Sequence, residues 1–234
     1  MLTSGINFFN FKTTKKNKKI YSKLLSLLNE KTQVINSLGS YYKNSFSNKV
    51  SLKYKKSKNF RLIGMGGSTL GAQTIYQFLN YKIKKNFIFI DNLKPKYKLS
   101  KNKNINIIIS KSGDTIETIV NSNILIKKND KNIFITEDKK NYLYLLAQKL
   151  KSEIIHHNNF IGGRYSVLSE VGMLPAELMG LDSRKFKKFD NLVANKKFLN
   201  SLIINVSNIL ELIKKKKFNS VILNYDETAD NFLK

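Results

Sequence analysis

Short apolar runs that alternate with helix-like segments constrain the fold of this chain more than any other feature of its sequence. Five runs have the continuous apolar character of strands buried on both faces: 61–63, 86–90, 105–109, 133–135 and 153–155. Helical patterns lie between most of them, at 71–79, 115–126 and 141–150. Such alternation predicts an α/β fold with a doubly wound parallel sheet of five strands. Ligands of these sheets bind beyond the carboxyl ends of the strands.

Two further helices are predicted outside this alternation. An amphipathic pattern over 21–38 places most of its leucines on one face, which indicates packing rather than chemistry. Residues 173–179 predict a short helix that Pro175 breaks.

Hydroxyl and ammonium donors follow the third apolar run, where a buried strand gives way to a loop. Four of them lie within six residues: Ser110, Lys111, Ser112 and Thr115. A helix is expected to begin directly afterwards, and the N–H groups and dipole at a helix N-terminus favour an anion. Each hydroxyl can donate one hydrogen bond to a phosphate oxygen. The segment is therefore predicted to bind phosphate.

A glycine-rich turn follows the first apolar run and has the composition of a second anion-binding loop. Residues 64–71 read Gly-Met-Gly-Gly-Ser-Thr-Leu-Gly. Glycines allow positive φ and a close approach of the backbone to a ligand. The spacing is not that of a P-loop, and it matches the dinucleotide fingerprint poorly. Asp91 ends the next strand at about the distance of a ribose contact, so a dinucleotide is a less favoured alternative, as is a tight turn without a ligand.

Composition excludes several classes of site. The chain has no cysteine, and its two histidines, His156 and His157, are adjacent, so neither a disulfide nor a metal cage is expected. We expect no cofactor. The apolar runs are far shorter than the ~20 residues that span a bilayer. Residues 1–5 lack the features of a signal peptide, which predicts a cytoplasmic protein that does not bind membranes.

The net charge of +26 suggests nucleic-acid binding, but the kind of basic residue argues against it. Only three of the 42 basic residues are arginine, the residue that clamps phosphates and reads bases bidentately. Lysine rises together with Asn, Ile, Phe and Tyr, which A/T-rich codons encode. Base composition and solvated faces are the favoured explanation, and a nucleic-acid or membrane role is the alternative.

One arginine stands in an unusual context. Arg164 follows two glycines in a segment beyond the last apolar run. The glycines let the backbone turn, and the guanidinium is a planar, permanently charged donor that can stabilise a developing oxyanion. A structural salt bridge is the alternative.

Together, these three segments resemble the glucose-6-phosphate isomerase family of glycolysis and gluconeogenesis. The resemblance is carried by residues 64–71, by 110–118, and by Gly-Gly-Arg-Tyr-Ser at 162–166 with Gly172 and Leu174-Pro175 beyond it. It runs in order from about residue 60 to the end of the sequence. Glu170 departs from the pattern, because the family usually has a small residue there.

The resemblance implies a sugar-isomerase (SIS) fold, a flavodoxin-like three-layer sandwich, and roles for individual residues. The sugar phosphate would be held by Ser110, Lys111, Ser112 and Thr115, and the sugar would contact Gly67, Ser68 and Gly163. Arg164 would stabilise the cis-enediolate that forms between glucose 6-phosphate and fructose 6-phosphate. Glu117 would support the reaction or relay a proton; a first-turn carboxylate favoured by the helix dipole is the alternative.

The resemblance also implies a domain order. Residues 1–58 would form an N-terminal helical extension, 59–190 the phosphosugar-binding SIS domain, and 191–234 the start of a second SIS domain. In this interpretation, 221–225 is the first strand of that second domain.

Part of the family's machinery has no counterpart in the sequence. The family's general base is a glutamate in a later Glu-Ser-x-Gly-Lys-like segment, and a histidine and a lysine assist ring opening. None of these segments occurs in the 234 residues. We expect a chain truncated before the base to be nearly inert alone, since general acid–base chemistry contributes ~10²–10⁴-fold. The complete isomerase is expected to be a homodimer, and a non-catalytic phosphosugar-binding module or regulator is the alternative.

Overall fold

The apolar runs form one parallel five-stranded sheet in the computed structural model of the chain, which describes residues 17–94, 103–127 and 129–233. The strands are β1 (Asn59–Gly64), β2 (Asn86–Ile90), β3 (Ile105–Ile109), β4 (Lys131–Glu137) and β5 (Glu153–His157). The helices are α1 (Lys18–Asn29), α2 (Gln33–Leu38), α3 (Asn48–Lys53), α4 (Gly67–Phe78), α5 (Ile116–Leu125), α6 (Tyr142–Lys149), α7 (Glu170–Met179), α8 (Phe189–Val193) and α9 (Lys196–Lys214). The predicted fold class is confirmed.

The order of the strands places a crevice at one point of the sheet. The order is β2-β1-β3-β4-β5, and every neighbouring pair is parallel. The chain proceeds from β1 to β2 on one side and returns to β3 on the other, so the order reverses between β1 and β3. Ligands of doubly wound sheets bind outside the carboxyl ends at this reversal. Gly64 and Ile109, the last residues of β1 and β3, lie opposite each other there.

Side chains that alternate along the strands build a core on each face of the sheet. On one face, Leu62 and Ile107 belong to a buried cluster with residues of α4 and α7. On the other, Ile63 and Ile108 pack in a cluster with residues of α5 and α6. Because neighbouring strand residues point to opposite faces, strands covered on both sides are apolar throughout. This gives the three layers that the resemblance implies.

A buried arginine connects three strands near their amino ends. Arg61 donates from Nε to Asn106 Oδ1 at 2.9 Å and from Nη2 to the Leu125 carbonyl at 2.7 Å. Asn106 donates in turn to Asn132 Oδ1 at 2.7 Å, and Asp130 lies 3.8 Å from the guanidinium. Buried polar groups need such partners, since an unsatisfied one costs about 1–3 kcal/mol. Arg61 is therefore structural.

The single helix predicted over 21–38 is wrong, because the structure has two helices there. α1 ends at Asn29, Glu30 is extended (φ −68°, ψ 122°), and α2 begins at Gln33. The Thr32 hydroxyl accepts a hydrogen bond from the Ile35 N–H at 3.3 Å. A threonine that caps a new helix competes with continuation of the previous one. Residues 1–16 of the predicted extension, and the segment 1–5, lie outside the described residues.

The prediction that Pro175 breaks its helix is also wrong. α7 runs continuously from Glu170 to Met179 through the proline. A proline inside a helix costs about 3 kcal/mol. Nine of the ten residues of α7 are buried, and each large apolar side chain contributes about 1.5–3 kcal/mol on burial. Tertiary packing therefore outweighs the local preference.

The strand predicted at 221–225 is not formed. Residues 221–226 have no regular secondary structure, and Val221, Leu223 and Tyr225 are 82%, 72% and 93% exposed. A strand exists only through hydrogen bonds to a neighbour, and no described segment pairs with this one. The division into 1–58, 59–190 and 191–234 stays a prediction.

The chain divides into two compact units. One comprises residues up to Tyr42 together with Lys187–Leu223, and it contains α1, α2, α8 and α9. The other comprises Lys43–Phe186 with Asn224 onwards, and it contains the sheet and every candidate site residue. No helix in the described part of the chain has the length and apolar character needed to cross a bilayer.

Candidate functional site

The glycine-rich turn leads from β1 directly into α4. Gly66 has φ +53°, a conformation that side-chain-bearing residues rarely adopt, so glycine is required here. α4 begins at Gly67, four residues before the predicted start, and no side chain caps it. Ser68, in its first turn, is half-buried. α4 therefore begins, without a side-chain cap, directly after the carboxyl end of β1, where the crevice lies.

The loop after β3 brings its hydroxyl groups together. Ser110 Oγ lies 2.9 Å from Thr115 Oγ1, and the Gly113 N–H donates to Ser110 Oγ at 3.2 Å. Ser112 is exposed, and its hydroxyl accepts from the Asp114 N–H at 3.3 Å. Thr115 precedes α5 without capping it through its side chain, which leaves N–H groups at the helix start for an anion. Glu117 lies half-buried in the first turn of α5.

The start of α6 holds this loop in place. Gly113 has φ +71°, and a Cβ there would overlap the Asn141 side-chain amide. Asn141 caps α6 by accepting from the Tyr144 N–H at 2.9 Å, and Asp114 Oδ1 accepts from the Tyr142 N–H at 3.0 Å. Asp114 therefore engages α6 rather than an anion. Sequence reasoning missed Asn141, although an asparagine before a helical pattern is a recognisable N-cap.

The arginine loop lies between β5 and α7 and touches the glycine-rich turn. Gly163–Tyr165 form one 3₁₀ turn, in which the buried Ser166 hydroxyl donates to the Gly163 carbonyl at 2.8 Å. A Cβ on Gly67 would collide with the Gly163 backbone, so the two glycines are in direct contact. The turn that carries Arg164 is thus held next to the start of α4.

Arg164 itself is exposed and carries no ion pair to any residue that the structure describes. The other two arginines have partners within the protein. Arg61 donates to Asn106 in the sheet, and Arg184 Nε donates to Asp182 Oδ1 at 2.9 Å. The salt bridge that was the alternative explanation for Arg164 is therefore not formed with any of the described residues.

Lys111 connects the loop after β3 to the arginine loop. Its ammonium donates to the Asn159 carbonyl at 2.6 Å and lies 3.5 Å from Glu137 Oε1. The side chain is 31% exposed. Since an ammonium has three donors, one remains for a ligand. The arginine loop is therefore in contact with both of the other candidate loops.

The Glu170 carboxylate is buried at the end of the arginine loop, where α7 begins. In the sequence, Glu170 stood out only as a departure from the family pattern. Glu170 Oε1 is 2.6 Å from His157 Nδ1 and accepts from the Asn158 N–H at 2.8 Å. Burial by itself raises the pKa of the Glu170 carboxyl, but the hydrogen bonds from His157 and Asn158 outweigh it and hold the pKa below its usual value. Glu170 is therefore charged at neutral pH. The pairing joins residues 13 apart, which no local pattern predicts.

Replacing Glu170 with glutamine is expected to lower the free energy of unfolding by about 1–3 kcal/mol near pH 5.5, because the charge-assisted hydrogen bonds weaken. A carboxyl with a lowered folded-state pKa stabilises the fold above its unfolded-state pKa of about 4.3 and stops doing so as the pH falls through the folded-state pKa. The difference between wild type and Glu170→Gln, measured by urea denaturation, should therefore shrink between about pH 5.5 and pH 3.5.

The control for this prediction is Glu153→Gln. Glu153 pairs with Lys53 at 2.7 Å on the surface, where the two side chains are 31% and 57% exposed, so its loss should cost less than about 1 kcal/mol. His157, Glu137 opposite it on β4, and Lys111 face the same region and keep their identities in both variants. If the difference in unfolding free energy between wild type and Glu170→Gln stayed constant over this pH range, the folded-state pKa of Glu170 would not be lowered.

Asp91, the residue on which the dinucleotide alternative depended, has a partner within the protein. Gln73 of α4 donates to Asp91 Oδ2 at 2.9 Å. A ribose hydroxyl would have to compete with this bond, so the arrangement offers no support for a dinucleotide.

A concave region of about 850 Å³ lies elsewhere in the sheet-containing unit. Its lining includes Lys55, Lys85 and Arg184 but no residue of the three loops. It is a separate surface from the candidate site.

The comparison with protein families identifies the chain. The family model described as phosphoglucose isomerase matches residues 11–211, most of the chain. The chain belongs to the phosphoglucose isomerase family. The glucose-6-phosphate isomerase of Methanocaldococcus jannaschii is 33% identical over 201 residues, which cover 77% of this chain and 49% of that protein. The enzyme of Acholeplasma laidlawii is 38% identical over 161 residues, which cover 60% of this chain and 38% of that protein.

The chain therefore spans about half the length, or less, of these two relatives. Among solved structures, a hypothetical protein from Thermus thermophilus has the same fold, with a TM-score of 0.65 at 22% identity over 83% of this chain and 52% of that one. The resemblance inferred from the three segments is confirmed. The roles of the individual site residues stay predictions.

Proposed function

We propose that the chain forms the sugar-phosphate-binding part of a cytoplasmic isomerase that interconverts glucose 6-phosphate and fructose 6-phosphate. One observation carries the proposal: in a member of the phosphoglucose isomerase family, three polar loops meet beside the β1–β3 reversal of the sheet. A homodimeric complete isomerase is part of the same proposal.

The phosphate group of the substrate is assigned to the loop after β3, residues 110–115, which is called the phosphate loop from here on. Ser110, Ser112 and Thr115 supply hydroxyl donors, and the start of α5 supplies N–H groups. Charge-assisted hydrogen bonds to phosphate are about twice as strong as neutral ones. Lys111 adds the nearest positive charge from the same loop and places it toward the arginine loop.

The sugar is assigned to the contact between the other two loops. Gly67 and Gly163 bring the two loop backbones into direct contact, because a Cβ on Gly67 would collide with the Gly163 backbone, and Ser68 follows in the first turn of α4. Removal of the C2 proton from the open-chain sugar, before a proton is returned to C1, places negative charge on an enediolate oxygen. The guanidinium of Arg164, which has no ion pair with a described residue, would stabilise that charge, and Glu117 in the first turn of α5 would assist proton movement.

A non-catalytic phosphosugar-binding module is the alternative. It is favoured by the lack, within these 234 residues, of a segment like the one that carries the family's general base. An exposed arginine that forms no ion pair within the described part of the chain is more useful to a reaction with a developing oxyanion than to phosphate binding alone. Isomerisation is therefore the favoured function of the site.

Replacing Lys111 with alanine is expected to weaken the binding of glucose 6-phosphate about 10-fold or more, since a hydrogen bond to a charged group contributes about 1.5–3 kcal/mol. The change removes a cation from the phosphate loop and also unties that loop from Asn159. Isothermal titration calorimetry of the two proteins measures the effect.

Lys131→Ala is the matched control for this measurement. Lys131 is an exposed lysine at the amino end of β4, the edge of the sheet opposite the site, and its loss changes the net charge equally. Its variant should bind like wild type. Equal affinities for wild type and Lys111→Ala would contradict the phosphate-loop assignment.

A further inference from the structure

Glu170 is a buried charge for which the proposed chemistry has no use. Its side chain and that of His157 are 1% and 2% exposed. A charge removed from water destabilises a protein unless partners compensate it. Glu170 has three kinds of compensation: His157, the Asn158 N–H, and the N-terminus of α7, whose first residue it is.

The contacts of this carboxylate join the two ends of the arginine loop. His157 is the last residue of β5, and Asn158 is the first residue beyond it. Glu170 begins α7, where the loop ends. One oxygen, Oε1, receives both partners. The Glu170 side chain therefore joins the two ends, or base, of the loop that carries Arg164.

The same loop is attached to both other candidate loops just beyond this base. Lys111 holds the carbonyl of Asn159, the residue next to Asn158, and Gly163 rests against Gly67. The base and the two attachments together determine where the Arg164 turn lies. Loss of the base bond would leave the Asn158 N–H without its carboxylate acceptor and release one end of the loop.

We propose that Glu170 is a positioning residue that fixes the Arg164 loop against the phosphate loop and the glycine-rich turn. This inference rests on the proposed function of the site. A change at Glu170 should therefore weaken the binding of the sugar end of a ligand. The binding of the phosphate end, which is held by residues 110–115, should not change.

Two probe ligands distinguish the phosphate end of the binding site from its sugar end. Inorganic phosphate occupies the phosphate loop alone, whereas 6-phosphogluconate also places a C1 carboxylate where enediolate charge would develop. Glu170→Gln is expected to weaken 6-phosphogluconate binding about tenfold and to change phosphate binding less than about twofold. His157→Gln retains a donor for the Glu170 carboxylate, so its affinity for 6-phosphogluconate should lie between those of wild type and Glu170→Gln.

Each other result has a distinct meaning. If the two affinities fall by the same factor, or if neither falls, Glu170 does not position the arginine loop. If wild type binds neither probe, the proposed function fails, and hydrogen exchange then decides the positioning role by itself.

Hydrogen exchange also tests the positioning role of Glu170 in the case that the Glu170→Gln variant does not fold, because it can be measured on the wild type. In wild type, the Asn158 and Ile161 amides should be protected, and in a folded Glu170→Gln they should exchange at least about tenfold faster, while the amides of α7 stay protected. Exchange of the Asn158 amide at the rate of an exposed loop in wild type would overturn the proposal.

Discussion

Replacing Arg164 with alanine in an active isomerase that contains this chain is expected to lower kcat by about 10²–10³-fold, the usual cost of removing one oxyanion donor. Arg164 is exposed and forms no ion pair with a described residue, so its removal leaves no buried partner unsatisfied. In the proposed function, its guanidinium would act on charge that exists only as the enediolate forms. KM should therefore change much less than kcat.

Two variants make this prediction sharper. Arg164→Lys keeps the charge but loses the planar fork, so it should recover only part of kcat. Arg184→Ala removes an arginine that pairs with Asp182 on the surface, and it should leave both kinetic constants unchanged. A rise in KM at constant kcat for Arg164→Ala would instead make Arg164 a ground-state binding residue.

Replacing Gly67 with alanine is expected to damage both stability and ligand binding. A Cβ at this position would collide with the Gly163 backbone, and a backbone group cannot rotate away as a side chain can. Overpacking of this kind costs about 1–3 kcal/mol. The start of α4 would also move away from the Arg164 turn, and displacements of about 1 Å in a site can reduce activity about 10²-fold. We expect a lower midpoint of unfolding, a weaker affinity for glucose 6-phosphate and, in an active isomerase that contains this chain, activity reduced about 100-fold.

The matched control is Gly162→Ala. Gly162 lies in the same loop, has a negative φ of −71°, and a Cβ there would approach nothing closer than 3.9 Å. This variant should fold and bind like wild type. If Gly67→Ala and Gly162→Ala behaved alike, the contact between the two loops would not exist in solution.

The fold was predictable from the sequence because its strands are buried on both faces. Continuous apolar runs such as 86–90 and 105–109 coincide with β2 and β3, and the hydroxyls of 110–115 mark a strand end directly. The errors arose where tertiary context decides. Pro175 is tolerated because α7 is buried almost throughout, and residues 221–225 form no strand because none of the described residues pairs with them.

The composition of the candidate loops was visible in the sequence, but their support was not. Asn141 braces Gly113 across 28 residues, and Lys111 reaches Asn159 across 48. Glu170 had no interpretable role until folding brought it to His157 and Asn158. Such contacts depend on the order of the strands and on the crossings of the helices, which periodicity does not encode.

The most direct test of sugar-phosphate binding at these loops is an NMR titration of the ¹⁵N-labelled chain with glucose 6-phosphate, with glucose as the control. We expect amide shifts in three segments, 66–68, 110–115 and 162–165, and none with glucose. Shifts confined to the 850 Å³ concave region around Leu181 and Arg184, or no shifts at all, would contradict binding at these loops.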